Sequence, residues 1–467
     1  MKPNLNRRQF LQQTSCAAVG TASLFSTLLS LRLTAGAASG GTFGDYKALV
    51  CLFLSGGNDS YNMLVPRNSG AYSAYSSARS SLALPKSDLL PVTSTGQAYQ
   101  EFGIHPELPY LQTLYNNGNA AFVSNIGTLI EPTSISSYQN KSAKLPTGLF
   151  SHADERLHWQ TVVPQIRGAG PKGWAGRVAD CMAQVNSTGS IAMNLSLSGN
   201  NVLQTGKSTV PYMTSPKGVV LLDGYDPTNP GDPSTIAVNS ILSQNYKNLY
   251  QKTLAEKNRG SIDTAFAFDS AVSPLSTTEN FPNTTVGSRL ETISKVMKAR
   301  NTLGMNRQIF FVERGGWDHH SAVLSNQQNL FSEVDAAIEA FWKEMNQLGL
   351  QNDVVLFTAS DFGRTLTSNG SGSDHAWGGN QFVIGGSRTN GGPLNGGKIY
   401  GEYPDLSSGS SLDIGRGRLL PTTSVDAYGT ELASWFGVPN SELETVFPNA
   451  GNFFNPSTTP HPLGMLA

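Results

Sequence analysis

The stretch QIFFVERGGWDHH (308–320) joins an apolar run directly to a polar string. A continuous apolar run of this length predicts a strand that is buried on both faces, as in parallel sheets. A helix is predicted from about Gln327, because apolar residues then recur at spacings of three and four until Gly349. A second strand, Val354–Ala359, ends in SDFGRT (360–365). This order of strand, helix and strand predicts an α/β fold with parallel strands.

The same pattern occurs near the start of the chain. The apolar run Ala48–Leu54 ends in the polar string GGNDSYN (56–62). A helix over Leu108–Tyr115 and a strand over Ala120–Ile126 follow. We therefore predict that both parts of the chain contribute to one mostly parallel sheet.

Polar residues follow these predicted strands where they end. Asp59, Asp318 and Asp361 each come just after a strand, and the carboxyl ends of parallel strands meet at one edge of a sheet. Asp318 and His320 are separated by one residue, so both side chains can approach one ion. His375 stands in the string DHAWGG (374–379). We predict that Asp59, Asp318, His320, Asp361 and His375 bind a divalent metal.

A second group of side chains belongs to the same strings. Asp374 is a further candidate ligand, whereas His319 and Arg364 are candidates for contact with substrate. Arg364 can hold an oxyanion with two hydrogen bonds, or it can form a structural pair with a carboxylate. Asp59 alone is equally typical of a helix cap.

Ser151 is the candidate nucleophile. It precedes a predicted helix that begins with HADERL (152–157), and a helix N-terminus favours an anion or an alkoxide. Ser151 followed by Asp154 also resembles a capping box, which is a structural alternative.

The N-terminus predicts export. Residues 1–37 contain the pair Arg7-Arg8, a moderately apolar stretch and the small residues Ala35-Gly36-Ala37, which resemble an A-x-A cleavage site. Together these features are typical of a twin-arginine signal. We expect the twin-arginine translocase as a partner during export, a periplasmic or secreted location, and no stable membrane anchor, since no other run reaches about 20 apolar residues.

Charge and cysteine content exclude several classes. Removing the leader takes away four of the 32 basic residues and no acid, which leaves 28 against 33 acids and a net charge near −5. We expect no nucleic-acid partner, because no basic stripe occurs. Of the remaining cysteines, Cys51 lies in an apolar run where a buried free thiol is favoured, although one disulfide with Cys181 is open in an oxidising compartment.

We predict one domain over residues 45–455. Residues 185–235, rich in Ser, Gly, Asn and Pro, are predicted to form a β-rich insertion or a cap over the sheet edge. The chain has no GxxxxGK loop, GxSxG elbow or CxxC pair. These absences argue against kinases, α/β-hydrolases and thiol redox enzymes.

With these motifs in view, the chain resembles the exported bacterial family of unknown function numbered 1501. The resemblance runs from Leu52 almost to Phe453 and is carried, beside the leader, by LFLSGGNDSYNMLVP, IHPELPYL, FSHADERLHW, GWAGR, GGWDHH, SDFGRT, DHAWGG, LLPTTSVDAY and WFGV. That family in turn resembles the alkaline phosphatase and sulfatase superfamily. The resemblance implies an α/β/α sandwich, a two-metal site and a nucleophile at a helix start.

The resemblance also implies roles for single residues. Asp59 matches the first-strand aspartate, Ser151 the nucleophile and Asp361 the bridging aspartate, while Asp318 with His320 resembles the Asp-and-His pair and His375 the last histidine. Two departures occur. Phe362 stands where the superfamily often has histidine, and Asp318 and His320 are closer in sequence than the usual pair. These departures predict that one metal site is weakened or absent.

The sequence thus predicts an exported hydrolase of small-molecule or glycan-borne phosphate or sulfate esters. Its cofactor is predicted to be one or two ions of zinc, manganese, magnesium or calcium. The alternative is a non-catalytic secreted protein that binds envelope material and keeps the fold with one metal or none.

Overall fold

The computed structural model describes residues 45–467 except 169, 171, 187–190 and 220–221. The predicted leader (1–37) lies outside the described residues. In the part of the chain that is described, no helix is both long and apolar enough to cross a membrane.

The strands of the described residues are mostly short. They are β1 (Lys47–Leu54), β2 (Leu64–Pro66), β3 (Leu90–Thr93), β4 (Glu101–Ile104), β5 (Ala120–Gly127), β6 (Asn194–Ser196), β7 (Tyr212–Met213), β8 (Arg307–Arg314), β9 (Val354–Ser360), β10 (Gly379–Ile384), β11 (Ile399–Tyr400) and β12 (Thr423–Ser424).

The helices range from one turn to about seven turns. They are α1 (Ser69–Arg79), α2 (Pro109–Asn116), α3 (Ile135–Gln139), α4 (His152–Thr161), α5 (Trp174–Cys181), α6 (Pro233–Leu242), α7 (Leu249–Val272), α8 (Thr285–Lys298), α9 (Val323–Gln347), α10 (Val425–Phe436) and α11 (Leu443–Val446).

A nine-stranded sheet in the order β11-β5-β10-β9-β1-β8-β6-β7, with β12 also paired to β5, organises the protein. Strands β8, β1 and β9 are parallel neighbours in the centre, and only β10 runs antiparallel to the strands beside it. Leu54 is in register with Arg314 and with Ser360, so the three central strands end at one edge. The loops that carry the predicted site therefore leave the sheet side by side. Strands β2, β4 and β3 form a separate antiparallel sheet.

Helices cover both faces of the nine-stranded sheet. Alternate residues of β1 point to opposite sides: Val50 and Leu52 pack in a core that includes side chains of α2, α8 and α9, whereas Leu49 and Cys51 pack in a core that includes side chains of α4, α5 and α10. Strands that are apolar on both faces need such cover. The predicted α/β/α sandwich with a mostly parallel sheet is confirmed.

The regular elements agree with their sequence predictions to within a few residues. The region 185–235, predicted to be a β-rich insertion or cap, contributes in its described part only two short strands, β6 and β7, which extend the main sheet beyond β8, besides the start of α6. Cys51 and Cys181 are free, and Cys51 is buried.

Candidate metal centre

Four side chains converge at the carboxyl-end edge of the central strands. Asp318 and His320 follow β8, His375 precedes the antiparallel β10, and His152 opens α4. The Nε2 atom of His152 lies 3.4 Å from Oδ2 of Asp318, and those of His320 and His375 lie 3.0 and 3.4 Å from Oδ1. The side chain of Asp318 is 43% exposed, so this group, which we call the histidine cluster, is open to solvent.

His375 shows which ring nitrogen faces the cluster. Its Nδ1 is 2.7 Å from the carbonyl oxygen of Phe150. Because a carbonyl only accepts hydrogen bonds, Nδ1 carries the hydrogen, and the Nε2 of the neutral ring keeps its lone pair. Burial lowers the pKa of His375 and outweighs the opposing hydrogen bond to Phe150, which favours this neutral form.

The other two rings are held in the same way. The Nδ1 of His152 is 2.7 Å from Oδ2 of Asp361, and the Nδ1 of His320 is 3.1 Å from Oδ1 of Asp374. Carboxylates that accept from Nδ1 orient a histidine and leave Nε2 for a metal, and such partners accompany most metal-binding histidines. All three rings thus aim Nε2 at the carboxylate of Asp318.

The cluster fits a divalent ion. The Nε2 atom of His152 is buried without a hydrogen-bond partner, and the Nε2 atoms of His320 and His375 face each other at 3.0 Å. The Nε2 atoms of His320 and His375 lie 3.0 and 3.4 Å from the same oxygen of Asp318 and 3.0 Å from each other, close to the edge of about 3.3 Å for a tetrahedral zinc site with bonds of about 2.0–2.1 Å, whereas His152 faces the other oxygen. Within the described residues, His152, Asp318 and His375 offer ligand atoms that all lie within 4.8 Å of one another.

Neighbouring donors favour the ionised forms of Asp318, a member of the cluster, and of Asp374 beside it. Burial alone would raise the pKa of Asp318, but the Nη1 of Arg364, 2.6 Å from Oδ1, lowers it below its usual range. The pKa of Asp374 is lowered to about 2, first by the hydrogen bond from Asn369 and also by Arg416 at 2.5 Å. Ionised carboxylates accept hydrogen bonds and bind cations, as the cluster requires.

Two glycines allow the loops to come this close. Gly56 has a φ of 121°, and a Cβ there would lie 2.5 Å from the backbone nitrogen of Asp318. Gly57 has a φ of 81°, and a Cβ there would lie 2.4 Å from the ring of Phe362. Both positions therefore require glycine. The string GGNDSYN thus makes room for the loops that follow β8 and β9.

Phe362 forms one wall of the cluster. Its ring centroid lies 4.7 Å from that of His152 and 4.6 Å from that of His375, and its side chain is buried. A hydrocarbon ring offers no lone pair to a metal. The position therefore packs the two rings and adds no ligand.

Of the five predicted ligands, the structure brings Asp318, His320 and His375 together. Asp361 lies outside the cluster, and its Oδ2 accepts a hydrogen bond from the ring of His152. Asp59 lies apart from the cluster: it is fully buried and its Oδ2 is 2.6 Å from Arg79. The expected convergence of all five around one ion is therefore not observed.

Asp59 is nevertheless linked to the cluster through a chain of hydrogen bonds. Its Oδ2 accepts a hydrogen bond of 2.8 Å from the hydroxyl of Ser373, whose backbone carbonyl accepts from the guanidinium of Arg364. Arg364 in turn bonds Asp318. Since the side chain of Arg364 is fully buried, the structure favours the alternative in which it pairs with a carboxylate.

The other predicted residues lie around the cluster. The Oγ of Ser151 accepts a long hydrogen bond of 3.4 Å from the backbone N–H of Asp154 and caps α4. Asp374 orients His320 and adds no ligand atom to the centre. His319 is buried, and neither of its ring nitrogens has a hydrogen-bond partner. Burial lowers its pKa.

His152 is the cluster member that the sequence analysis missed. Its motif, FSHADERLHW, was identified as a helix start, and the residue directly after the cap received no role. The feature that could have indicated this ligand is a histidine at the first helical position, beside the predicted nucleophile. Its Nδ1 partner, Asp361, is 209 residues away, a separation that hides the pairing from local pattern analysis.

Fold and site together define an α/β/α protein with three histidines and one aspartate gathered at the carboxyl-end edge of its sheet. The chain belongs to the family described as protein of unknown function (DUF1501), whose model matches residues 46–414. The predicted family is thereby confirmed, and the match contains the whole cluster. None of the curated proteins matches this sequence.

Solved structures similar to this chain include three bacterial proteins. The zinc complex of the C-terminal periplasmic domain of EcEptC from Escherichia coli has 10% identity, a TM-score of 0.31 and coverage of 74% of each chain. The soluble domain of lipooligosaccharide phosphoethanolamine transferase A from Neisseria meningitidis has 11% identity, a TM-score of 0.35 and coverage of 83% of this chain and 87% of that one. The PsFucS1 sulfatase from Pseudoalteromonas sp. has 10% identity, a TM-score of 0.31 and coverage of 82% and 69%.

Proposed function

We propose that this protein is an exported hydrolase of phosphate or sulfate esters that uses one divalent metal, with zinc as the preferred ion. The observation that carries the proposal is the orientation of the three histidine rings. Each has its Nδ1 held by an acceptor and its Nε2 aimed at Asp318. Three nitrogen donors and one carboxylate form a donor set that zinc accepts.

His152, His320, His375 and Asp318 would hold the ion. When bound, it would stabilise negative charge on the oxygens of a transferred group and lower the pKa of a bound water. The partial exposure of the four side chains leaves room for a substrate to approach. Phe362 supports a one-metal site, because it packs against two of the ligand rings and brings no donor.

The chain offers Ser151 as the nucleophile of this reaction. Its Oγ lies at the N-terminus of α4, directly before His152, and its single hydrogen bond is long. In the proposed reaction, Oγ loses its proton to water and forms a bond to the phosphorus or sulfur atom, while the ester oxygen leaves with its electron pair and takes up a proton. Water then cleaves the new bond and restores the hydroxyl.

A metal-reconstitution assay tests the proposal. Protein stripped by a chelator is reloaded with zinc, manganese, magnesium or calcium, and turnover is measured with p-nitrophenyl phosphate, bis(p-nitrophenyl) phosphate and p-nitrophenyl sulfate. We expect turnover of at least one ester that disappears with the chelator and returns with zinc. Absence of turnover under every metal would contradict the hydrolase proposal.

A second candidate function is the non-catalytic envelope-binding protein, which two observations favour. Arg364 already neutralises Asp318, and Ser151 forms a helix cap. This candidate predicts that zinc binds and stabilises the protein while no ester is turned over. The same assay, combined with thermal melting, therefore separates the two functions.

A further inference from the structure

A cleft of about 230 Å³ lies at the opposite edge of the sheet. Its lining includes Asn119, which precedes β5, Asn352, which precedes β9, and Asn390, which follows β10. Because β10 runs antiparallel to β5 and β9, these three residues share the amino-end edge of the parallel strands. Strand β9 has seven residues, which puts the cleft about 20 Å from the histidine cluster.

The lining of this cleft contains amides and hydroxyls but no charged side chain. Six of the eleven lining residues carry an amide group: Asn117, Asn119, Asn346, Gln351, Asn352 and Asn390. Thr113 and Ser387 add hydroxyls. A ligand of matching chemistry is uncharged and rich in hydrogen-bonding groups, because a charged ligand would lose its hydration without gaining a counter-charge.

The amides of the cleft are available for a ligand. Among these six, only Asn119 uses its amide group in a hydrogen bond to a described residue, donating to the carbonyl of Gly385 at 3.1 Å. The amide groups of the other five form no hydrogen bond with any described residue, and the Oε1 of Gln351 is buried without a partner. Buried polar atoms are normally paired, so an unpaired acceptor in a cavity indicates a site for a donor.

Two aromatic residues, Tyr110 and Trp342, and one leucine, Leu114, complete the lining. Aromatic surfaces beside amides suit a sugar ring, which has apolar C–H groups and a rim of hydroxyls that donate and accept. A volume of 230 Å³ is the volume that about eight water molecules occupy in liquid water. It lies below the range of about 300–1,000 Å³ for drug-sized ligands, which matches a single ring.

We propose that this cleft, the amide cleft, binds one unit of a neutral carbohydrate, separately from the ester site. The amides hydrogen-bond the sugar hydroxyls, and the aromatic residues pack against the C–H groups of the ring. The cleft thereby anchors the protein to a glycan while the histidine cluster stays free.

Ligand-observed NMR and calorimetry on the full mature protein test this site. The probes are glucose, galactose, mannose and N-acetylglucosamine, with glucuronic acid as the charged comparison. The variant Asn346→Ala with Asn390→Ala removes two exposed amides that make no contact the fold needs. Gln347→Ala is the matched control, since Gln347 is exposed on the same helix beside Asn346 but does not line the cleft.

We expect at least one neutral sugar to bind the wild type and the Gln347→Ala control with equal affinity. Loss of two amide contacts should weaken that binding roughly tenfold in the double variant. His320→Ala should bind the sugar like the wild type, because the histidine cluster lies at the other edge. The proposal is overturned if no neutral sugar binds, if glucuronic acid binds more tightly, or if the double variant binds as well as the wild type.

Discussion

The two edges of the central sheet differ in chemistry although β9 and β10 contribute residues to both. At the carboxyl-end edge, Asp59, Asp318 and Asp361 follow β1, β8 and β9, and buried arginines pair with the first two. At the amino-end edge, amides line a cleft without any charged side chain. The sheet thus separates a charged site from a neutral one by the length of one strand.

The carboxyl-end edge contains buried acids whose charged forms are unfavourable. Burial raises the pKa of Glu155, at the start of α4, well above its usual range, and that of Asp426, at the start of α10, to about 8. Both helices begin at the carboxyl-end edge. Atoms Oδ1 of Asp59 and Oδ1 of Asp361 are also buried without partners there. Functional sites collect such groups at a cost in stability.

The largest expected effect concerns Ser151. Ser151→Asn keeps a good N-cap for α4 but removes the hydroxyl, so kcat should fall by roughly 10⁴-fold or more while stability changes little. Steady-state kinetics with the best ester and a thermal melt measure both quantities. Ser151→Thr keeps the cap and the hydroxyl and serves as the control. Full activity of Ser151→Asn would remove Ser151 from the mechanism.

A stability effect of similar size is expected at Asp59. Asp59→Ala leaves the guanidinium of Arg79 buried without its partner, which should lower the free energy of unfolding by about 3–5 kcal/mol. Asn346→Ala at the amino-end edge should change it by less than about 0.5 kcal/mol. Urea denaturation measures both. Equal losses would erase the contrast between the edges.

A smaller effect is expected at Asp361, which holds the ring of His152. Asp361→Asn keeps the shape of the side chain but replaces the carboxylate that accepts from His152, so zinc affinity should fall roughly 10–100-fold. Competition with a coloured chelator measures the affinity. Asp263→Asn, a change of the same kind at an exposed position of α7, should bind zinc like the wild type. Unchanged affinity in Asp361→Asn would contradict the proposed role of the Asp361 carboxylate in zinc binding.

The last expected effect is a change in the slope of stability against pH. Burial raises the folded-state pKa of Asp426 from 3.8 to about 8, so its contribution to stability is fully present below pH 3.8 and is lost as the pH rises towards 8. Between these values the free energy of unfolding should fall by up to about 1.4 kcal/mol per pH unit through this group.

Asp426→Asn should remove that part of the slope, whereas Asp263→Asn, at an exposed position of α7, should leave the slope as it is. Urea denaturation at several pH values between 4 and 8 measures the slopes. Identical slopes in wild type and Asp426→Asn would contradict a carboxyl group that is protonated in the folded state.

Local pattern predicted the strands and the candidate ligands that lie just after them. Asp318 and His320 were found because an apolar run ends in glycines and polar residues. The partner of Asp59 was not found, because Arg79 ends a helix of unremarkable composition, SGAYSAYSSAR. The amide cleft was not found either, because its residues come from separate parts of the chain and none carries a motif. Such sites arise from packing, which local sequence does not encode.

Zinc stoichiometry tests whether the histidine cluster binds one metal ion. Mature protein is incubated with zinc, freed of loose metal and measured by mass spectrometry, beside His320→Ala combined with His375→Ala. The control is His461→Ala, whose side chain is 34% exposed, as is that of His152. We expect about one zinc per chain in the wild type and the control, and less than about a tenth of that in the double variant. A wild type without zinc, or equal zinc in all three proteins, would contradict this expectation.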